Sequence, residues 1–257
     1  MVSSLVAQTV EGTATVVRVK GAARYSVAGK WNPLKAGDVL KPGTVVQTGL
    51  DKGSYVDLVL NDDGSPAKVP SASDSGTSSS QENGAGAAGY RAQAEQNVVR
   101  VNENTALGID KLTSQNTGAD VVTETQLDLK QGRITGNVKK LTPASKYEIK
   151  IPNGVAGIRG TLFDISADGT VRVSVGSVVL AYVEPDGNVT TQVINANEQY
   201  DAKSKSLTPL PPGALDSLNV IGSQIRAGST TSTTGQMTDD YTVQRVSPSK
   251  GKGKGPK

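Results

Sequence analysis

The side chains best suited to chemistry are few. The 257-residue chain has no His and no Cys. That removes a Cys nucleophile, a His general base, a Ser-His-Asp triad, and any imidazole or thiolate site for zinc or copper. Carboxylate chemistry and hard-cation binding remain. Acidic pairs stand at Asp62-Asp63 and Asp239-Asp240, and two carboxylates alone can hydrolyse a glycoside. Both pairs lie in polar stretches that read as solvated turns, and neither has the spacing of a helical calcium loop. The acids of the strand-rich region, Glu124, Asp128, Glu148, Asp164, Asp168, Glu184, Asp186 and Glu198, are expected to be scattered or salt-bridged. The sequence thus names no catalytic residue, no metal ligand and no cofactor site.

Glycines invite a second reading. Gly154, Gly157 and Gly160 sit in GVAGIRGT, which lacks the G-x-x-x-x-G-K-[ST] form and is followed by a strand pattern, so no helix N-terminus would face a phosphate. Close backbone approach or bulges explain them better. In a regular strand Arg159, Thr161 and Phe163 share one face, with Ile158, Gly160 and Leu162 on the other. Arg159 is therefore expected to be structural, paired with a strand-end carboxylate or stacked on Phe163. Trp31 and Phe163 are expected to anchor the core, because only 4% of residues are aromatic.

Charge narrows the partners. The formal net charge is +3, but Arg245, Lys250, Lys252, Lys254 and Lys257 in the last thirteen residues account for five positive charges, leaving a body of −2. A basic surface suited to specific nucleic-acid binding is not implied. The Lys-Gly tail reads as solubilising, or as a weak salt-sensitive contact to a polyanion. No apolar run approaches the roughly 20 residues of a membrane-spanning helix. The start, MVSSLVAQTVEG, reads either as the end of a secretory signal or as an ordinary frayed terminus.

The elements that must position these residues are strands. Gly21-Ala22 divides the alternating segments of residues 13–28, and turn signals follow at Asn32-Pro33, Ala36-Gly37-Asp38, Lys41-Pro42-Gly43 and Asp51-Lys52-Gly53. Short strands are predicted at 39–40, 45–47 and 55–60, with Val56, Leu58 and Leu60 facing the core. Residues 61–97 are rich in Ser, Gly, Ala and Asn and read as a mobile low-complexity insertion. Strand patterns resume at 98–101, 105–109 and 121–129, and Lys130-Gln131-Gly132-Arg133 turns the chain. An antiparallel meander spans 146–200, with hairpin turns at Ala167-Asp168-Gly169 and Pro185-Asp186-Gly187. Pro211-Pro212-Gly213 ends the sheet. Residues 211–227 read as one short helix presenting Leu215, Leu218, Ile221 or Val220, and Ile225, and 228–257 as a low-complexity basic tail.

Two segments together resemble the FecR-type domain. One is Trp31-x-x-Leu34-x-x-Gly37-Asp38-x-Leu40-x-x-Gly43-x-x-Val46-x-Thr48-Gly49; the other runs from Ile151 through Gly157, Arg159, Gly160, Thr161 and Phe163 to Val179. The resemblance implies an all-β domain over residues 13–210, sandwich- or roll-like, whose motif residues Trp31, Gly37, Asp38, Gly43, Thr48, Gly49, Gly157, Arg159, Gly160, Thr161 and Phe163 are structural. It also implies a bacterial module of the cell envelope, periplasmic or extracellular. The family's namesakes carry a transport signal across the membrane to a sigma factor through a cytoplasmic helical segment and a membrane helix. The sequence reads instead as a residual export-signal end or flexible N-terminus at 1–12, the β domain, the helix and the tail. The function expected is a non-enzymatic contact with a protein or an anionic envelope polymer. The alternatives are a regulatory component working with a separate membrane partner and, more remotely, a carboxylate-dependent glycan-active enzyme.

Overall fold

The computed structural model describes residues 8–61, 96–118, 120–184 and 186–228, with the side chains of 226–228 excepted. In chain order the first strands are β1 (Thr9–Glu11), β2 (Thr13–Lys20), β3 (Ala23–Val27), β4 (Lys30–Pro33), β5 (Val39–Leu40) and β6 (Thr44–Thr48). Then come β7 (Tyr55–Asn61), β8 (Asn97–Val101), β9 (Ala106–Asn116), β10 (Val121–Gln131), β11 (Arg133–Asn137) and β12 (Lys146–Ile151). The last are β13 (Gly154–Ser166), β14 (Thr170–Val183), β15 (Val189–Asn195), β16 (Glu198–Asp201) and β17 (Ser206–Pro209), followed by helix α1 (Pro212–Gly228).

Their pairings link the described strands into one sheet, curled so that two halves face each other. One half runs β4, β3, β6, β9, β10, β12 and the first part of β13 and β14, ending at β15. The other runs β5, β2, β7, β8, β11 and the second part of β13 and β14, ending at β16 and β17. The core between them is made of alternate residues from both halves, among them Val56, Leu58, Leu60, Val99, Ile134, Phe163 and Val173 from the second and Leu107, Ile109, Leu127, Ile149, Ala156 and Leu180 from the first. The predicted inward set of β7 is therefore the one observed.

Two long strands serve both halves because they bend at glycine. The β13–β14 register runs regularly to Arg159↔Ser177, shifts to Leu162↔Val175, shifts again, and resumes at Phe163↔Val173. Gly160 and Gly176, at φ 57° and 81°, occupy that bulge. An extra residue in one strand bends it and increases its twist.

The bulge corrects the regular-strand reading of the motif. Ile158 and Phe163 both face the core while Leu162 turns to the helix side. Arg159 is exposed and Phe163 fully buried, so the two do not stack. No carboxylate pairs with Arg159 among the described residues; its Nη2 donates to the Pro143 carbonyl at 3.0 Å.

Trp31 also departs from expectation. It lies 43% exposed on β4 opposite Ser26, and the nearby core position is taken by Leu34. β4 pairs only with β3 among the described residues, so a large side chain on its outer face has no layer to bury it.

One pairing breaks the antiparallel pattern. β11 crosses to the second half to join β8, and the returning chain lays β12 parallel to β10, Glu124↔Lys146 through Asp128↔Lys150. At the N-terminus Thr9–Glu11 pair with Thr113–Gln115, so part of the expected residual signal is strand. Asn61 and Asn97, read as ends of the insertion, belong to β7 and β8. The rest of that insertion, 62–95, and the tail from 229 lie outside the described residues.

α1 closes the outer face of the second half. Leu218 packs with Leu162 and Leu210, and Ile225 with Val59 and Val98. Ile221 takes the inward position and Val220 is exposed. At Gly222 a Cβ would stand 2.7 Å from Leu162, so glycine lets the helix approach the sheet. No described helix is long and apolar enough to cross a membrane.

Candidate functional site: a valine face at the sheet edge

β13, β14 and β15 place alternate residues outward. Val178, Leu180 and Ile194 enter the core, which sends Val155, Val179, Val183, Val189 and Val193 to the surface. Register brings them together: Val179 is opposite Val193, Val183 opposite Val189, and Val155 opposite Ala181. Their exposures run from 38% at Val155 to 64% at Val189. β15 pairs only with β14 among the described residues, and its sequence VTTQVIN carries no charge. An uncharged edge strand with an apolar outer face lacks the features that keep sheet edges from pairing.

A groove of about 300 Å³ adjoins this face, lined among others by Lys146, Glu148, Gly157, Arg159, Ser177 and Val179. Gly157 and Arg159 therefore stand where the groove meets the valines. Thr161 is nearly fully buried and its single hydroxyl proton is shared between the carbonyls of Arg159 and Ser177, each 2.9 Å from the oxygen. That hydroxyl ties the bulge together, and Gly160 packs against Lys140.

The other motif residues form a second locality. Gly37 and Gly43 have φ of 92° and 88°. Their N–H groups donate to the carbonyls of Val16 and Ile109, each at 2.7 Å. The Asp38 carboxylate accepts from the Lys35 N–H at 2.8 Å. Thr48 joins two loops, its hydroxyl donating to the Asn102 carbonyl at 2.6 Å and accepting from the Thr105 N–H at 3.0 Å. The Gly49 N–H donates to the Ala22 carbonyl at 2.7 Å. Near it, the Arg24 guanidinium stacks 4.3 Å from the Trp31 ring centroid.

A polar row that the sequence did not disclose crosses the second half beneath and beside α1, buried from Asp57 to Asp164 and opening to the surface from Arg172 to Thr208. Asp57, Arg100, Thr135, Asp164, Arg172, Gln199 and Thr208 are successive cross-strand neighbours. Arg100 gives two bonds to Asp57, Nε–Oδ1 2.7 Å and Nη2–Oδ2 2.9 Å, and a third to Gln224 Oε1 of α1 at 3.0 Å. Its Cζ lies 3.9 Å from the Tyr55 ring centroid. Asp164 accepts from the Thr135 hydroxyl at 2.9 Å and has Arg133 and Arg172 at 3.8 and 3.5 Å. Burial pushes its carboxyl above the usual range and outweighs the opposing pull of Arg133, Thr135 and Arg172. Hydrophobic periodicity gives no warning of such a row; the signal available was an Asp and an Arg at outward-reading positions whose neighbours on the same face, Val59 and Val98, are apolar.

The two buried acids of this row are three strand spacings apart, about 14 Å, beyond the 9.5 Å or so of paired glycosidase carboxylates. The other strand-region acids have local partners: Lys111 for Glu124, Lys130 for Asp128, Gln126 for Glu148 and Lys203 for Asp168. Lys205 serves Glu184, Asn188 serves Asp186 and Asn195 serves Glu198. No group of three potential metal-binding side chains occurs among the described residues.

No curated protein matches the chain. Two crystal structures, at 2.50 and 1.65 Å, of a Parabacteroides distasonis protein provisionally described as an anti-sigma factor are similar to it at 16% identity and a TM-score of 0.33. The alignments cover 44% of this chain and 49% and 50% of those chains, so the similarity spans about half their length. The second motif segment as far as Val178 falls within the matched stretch described next, the Trp31–Gly49 segment precedes it, and Val179, Val183, Val189 and Val193 follow it. Over residues 86–178 the chain matches the model of the family described as FecR protein.

Proposed function

We propose that this protein acts by contact rather than by catalysis, and that it recruits a partner protein through the outer valine face and free edge of the β13–β15 sheet. The observation that carries this reading is the Val179–Val193 and Val183–Val189 pairing on an edge with no charged residue. Contiguous exposed apolar surface marks interaction sites, and an open edge accepts an added strand whose backbone bonds give affinity while side-chain alternation gives specificity. A cell-envelope location, periplasmic or extracellular, is part of the proposal and is supported by the family resemblance. An anionic polymer held by the basic tail remains a part of the same proposal.

A regulatory role is the second reading, favoured by the FecR match at 86–178. Both roles use a partner, so one experiment separates contact from its absence and a second separates the roles. The tagged full chain, expressed in its source bacterium, is compared with the Val179→Lys, Val193→Lys variant by gradient sedimentation of envelope extracts. Migration of the native chain in a larger assembly, lost in the variant, is expected; identical migration of the two would contradict the proposal. Transcripts that change with the variant mark regulation, and unchanged transcripts mark scaffolding.

A further inference from the structure

A second concave site lies at the opposite end of the motif, where β3 begins and β6 ends. It has a volume of about 390 Å³ and is lined among others by Ala22, Ala23, Arg24, Gln47, Leu50 and Asn104. Its walls are held by the Thr48 and Gly49 bonds described above, and by the Asn104 N–H, which donates to the Gly49 carbonyl at 2.8 Å. Leu50, 79% exposed, forms an apolar lip.

Arg24 is the one charged side chain among these wall residues, and its environment orients it without neutralising it. Its Nε donates to Gln47 Oε1 at 2.8 Å, and its guanidinium plane lies over Trp31. It forms no ion pair among the described residues. The neighbouring acids in sequence, Asp51 and Glu103, are not among the lining residues. Gln47 uses only the Nε–H, so the terminal nitrogens keep their N–H groups for another acceptor. A planar fork of that kind matches a carboxylate in two parallel bonds. Stacking on an aromatic ring fixes the fork in advance, which lowers the ordering cost of binding.

We infer that this cleft binds the terminal carboxylate of a polypeptide whose last residue is apolar, with the carboxylate on Arg24 and the side chain against Ala22, Ala23 and Leu50. Charge complementarity selects the anion, and the apolar lining selects a hydrocarbon body over a hydroxylated sugar. Gln47 and Asn104 supply amide groups for the peptide backbone. None of these residues belongs to the valine face, so the inference stands or falls apart from the role proposed for it.

Trp31 is the chain's single tryptophan, which makes its fluorescence a local reporter. The full chain is titrated with acetyl-Ala-Ala-Leu bearing a free carboxylate and with the same peptide as its amide. A saturable emission change with the acid, about tenfold weaker with the amide, is expected. Arg24→Lys keeps the charge but loses the fork and should weaken the acid peptide about tenfold, with an unchanged unfolding midpoint showing that the fold persists. The Val193→Lys variant should titrate like the native chain. Equal binding of acid and amide, no saturable change, or an oligogalacturonate that binds through Arg24 while the acid peptide does not, would each overturn the inference.

Discussion

Gly176 faces the Gly160 carbonyl across the β13–β14 pair so closely that a Cβ on Gly176 would overlap that oxygen. Both glycines have positive φ, and together they let two strands leave one half of the sheet and enter the other. Replacing Gly176 with Ala combines steric overlap with a backbone region that L-residues rarely adopt. A loss of about 2 kcal/mol or more in denaturant unfolding is expected. Gly187, also at positive φ but with nothing within 4 Å of an added Cβ, should lose less on the same change. Equal losses would show that overlap at the bend is not what matters.

Arg100 and Asp57 are both nearly inaccessible. Removing one member of a buried pair leaves the other charge uncompensated and costs about 3 to 5 kcal/mol, whereas replacing both with apolar residues can be close to neutral. Arg100→Met alone should destabilise strongly, though by less than the full cost, because Arg18 Nη1 stays 3.6 Å from Asp57 Oδ2. The Arg100→Met, Asp57→Leu double variant should recover most of the loss. Additive losses in the cycle would mean that the two side chains act independently.

The contrast between the two motif aromatics is testable by truncation. Phe163 is fully buried, with its ring over Gly136, and Phe163→Ala should cost about 3 to 5 kcal/mol. Trp31→Ala removes an exposed ring on an edge hairpin and should cost about 1 kcal/mol or less. Thermal or denaturant unfolding of the two variants decides whether Trp31 belongs to the core after all.

Asp164 gives the fold a pH-dependent term of definite sign. Its carboxyl is held above its ordinary 3.8 by burial, against Arg133, Thr135 and Arg172. The folded form therefore keeps its proton at pH values where the unfolded chain has lost it. The contribution is fully present below the unfolded value and is lost as pH rises through the folded value. Asp168 acts oppositely: burial works against its charge, but the Thr170 N–H and Lys203 outweigh it and hold the carboxyl low. Its contribution is lost as pH falls. In a series of urea midpoints from acid toward neutral, the Asp164→Asn variant should lack the decline specific to Asp164. A difference between the two proteins that does not change with pH would remove Asp164 as its source.

Much of the fold could be read from the sequence because local rules governed it. Turn glycines at 21, 37, 43, 53, 132, 169 and 187 all have positive φ, as the turns around them require, and β7 obeys strict alternation. What local rules could not supply was long-range. Which strand lies beside β10 depends on β11 leaving for β8, a choice made by the whole core. The Gly160 bulge shifts the strand by one residue and so reverses the faces of everything after it. Trp31 misleads because size suggests burial, while burial needs an opposing layer that an edge hairpin lacks. For the candidate site, alternation alone places Val179 and Val193 on the faces opposite Val178 and Ile194. That they lie across from each other at an open edge required the register.

The contact role of the valine face is tested most directly by site-specific photocrosslinking in the organism the chain comes from, with the photoreactive residue placed at Thr191 on β15 and, as control, at Lys41 in the turn before β6. Position 191 lies between Val189 and Val193 on the outward face. A discrete crosslinked species from position 191, absent from position 41 and abolished by Val179→Lys, is the result expected. The same crosslinks from both positions, or none from position 191 under conditions where the chain is folded and present, would contradict the account.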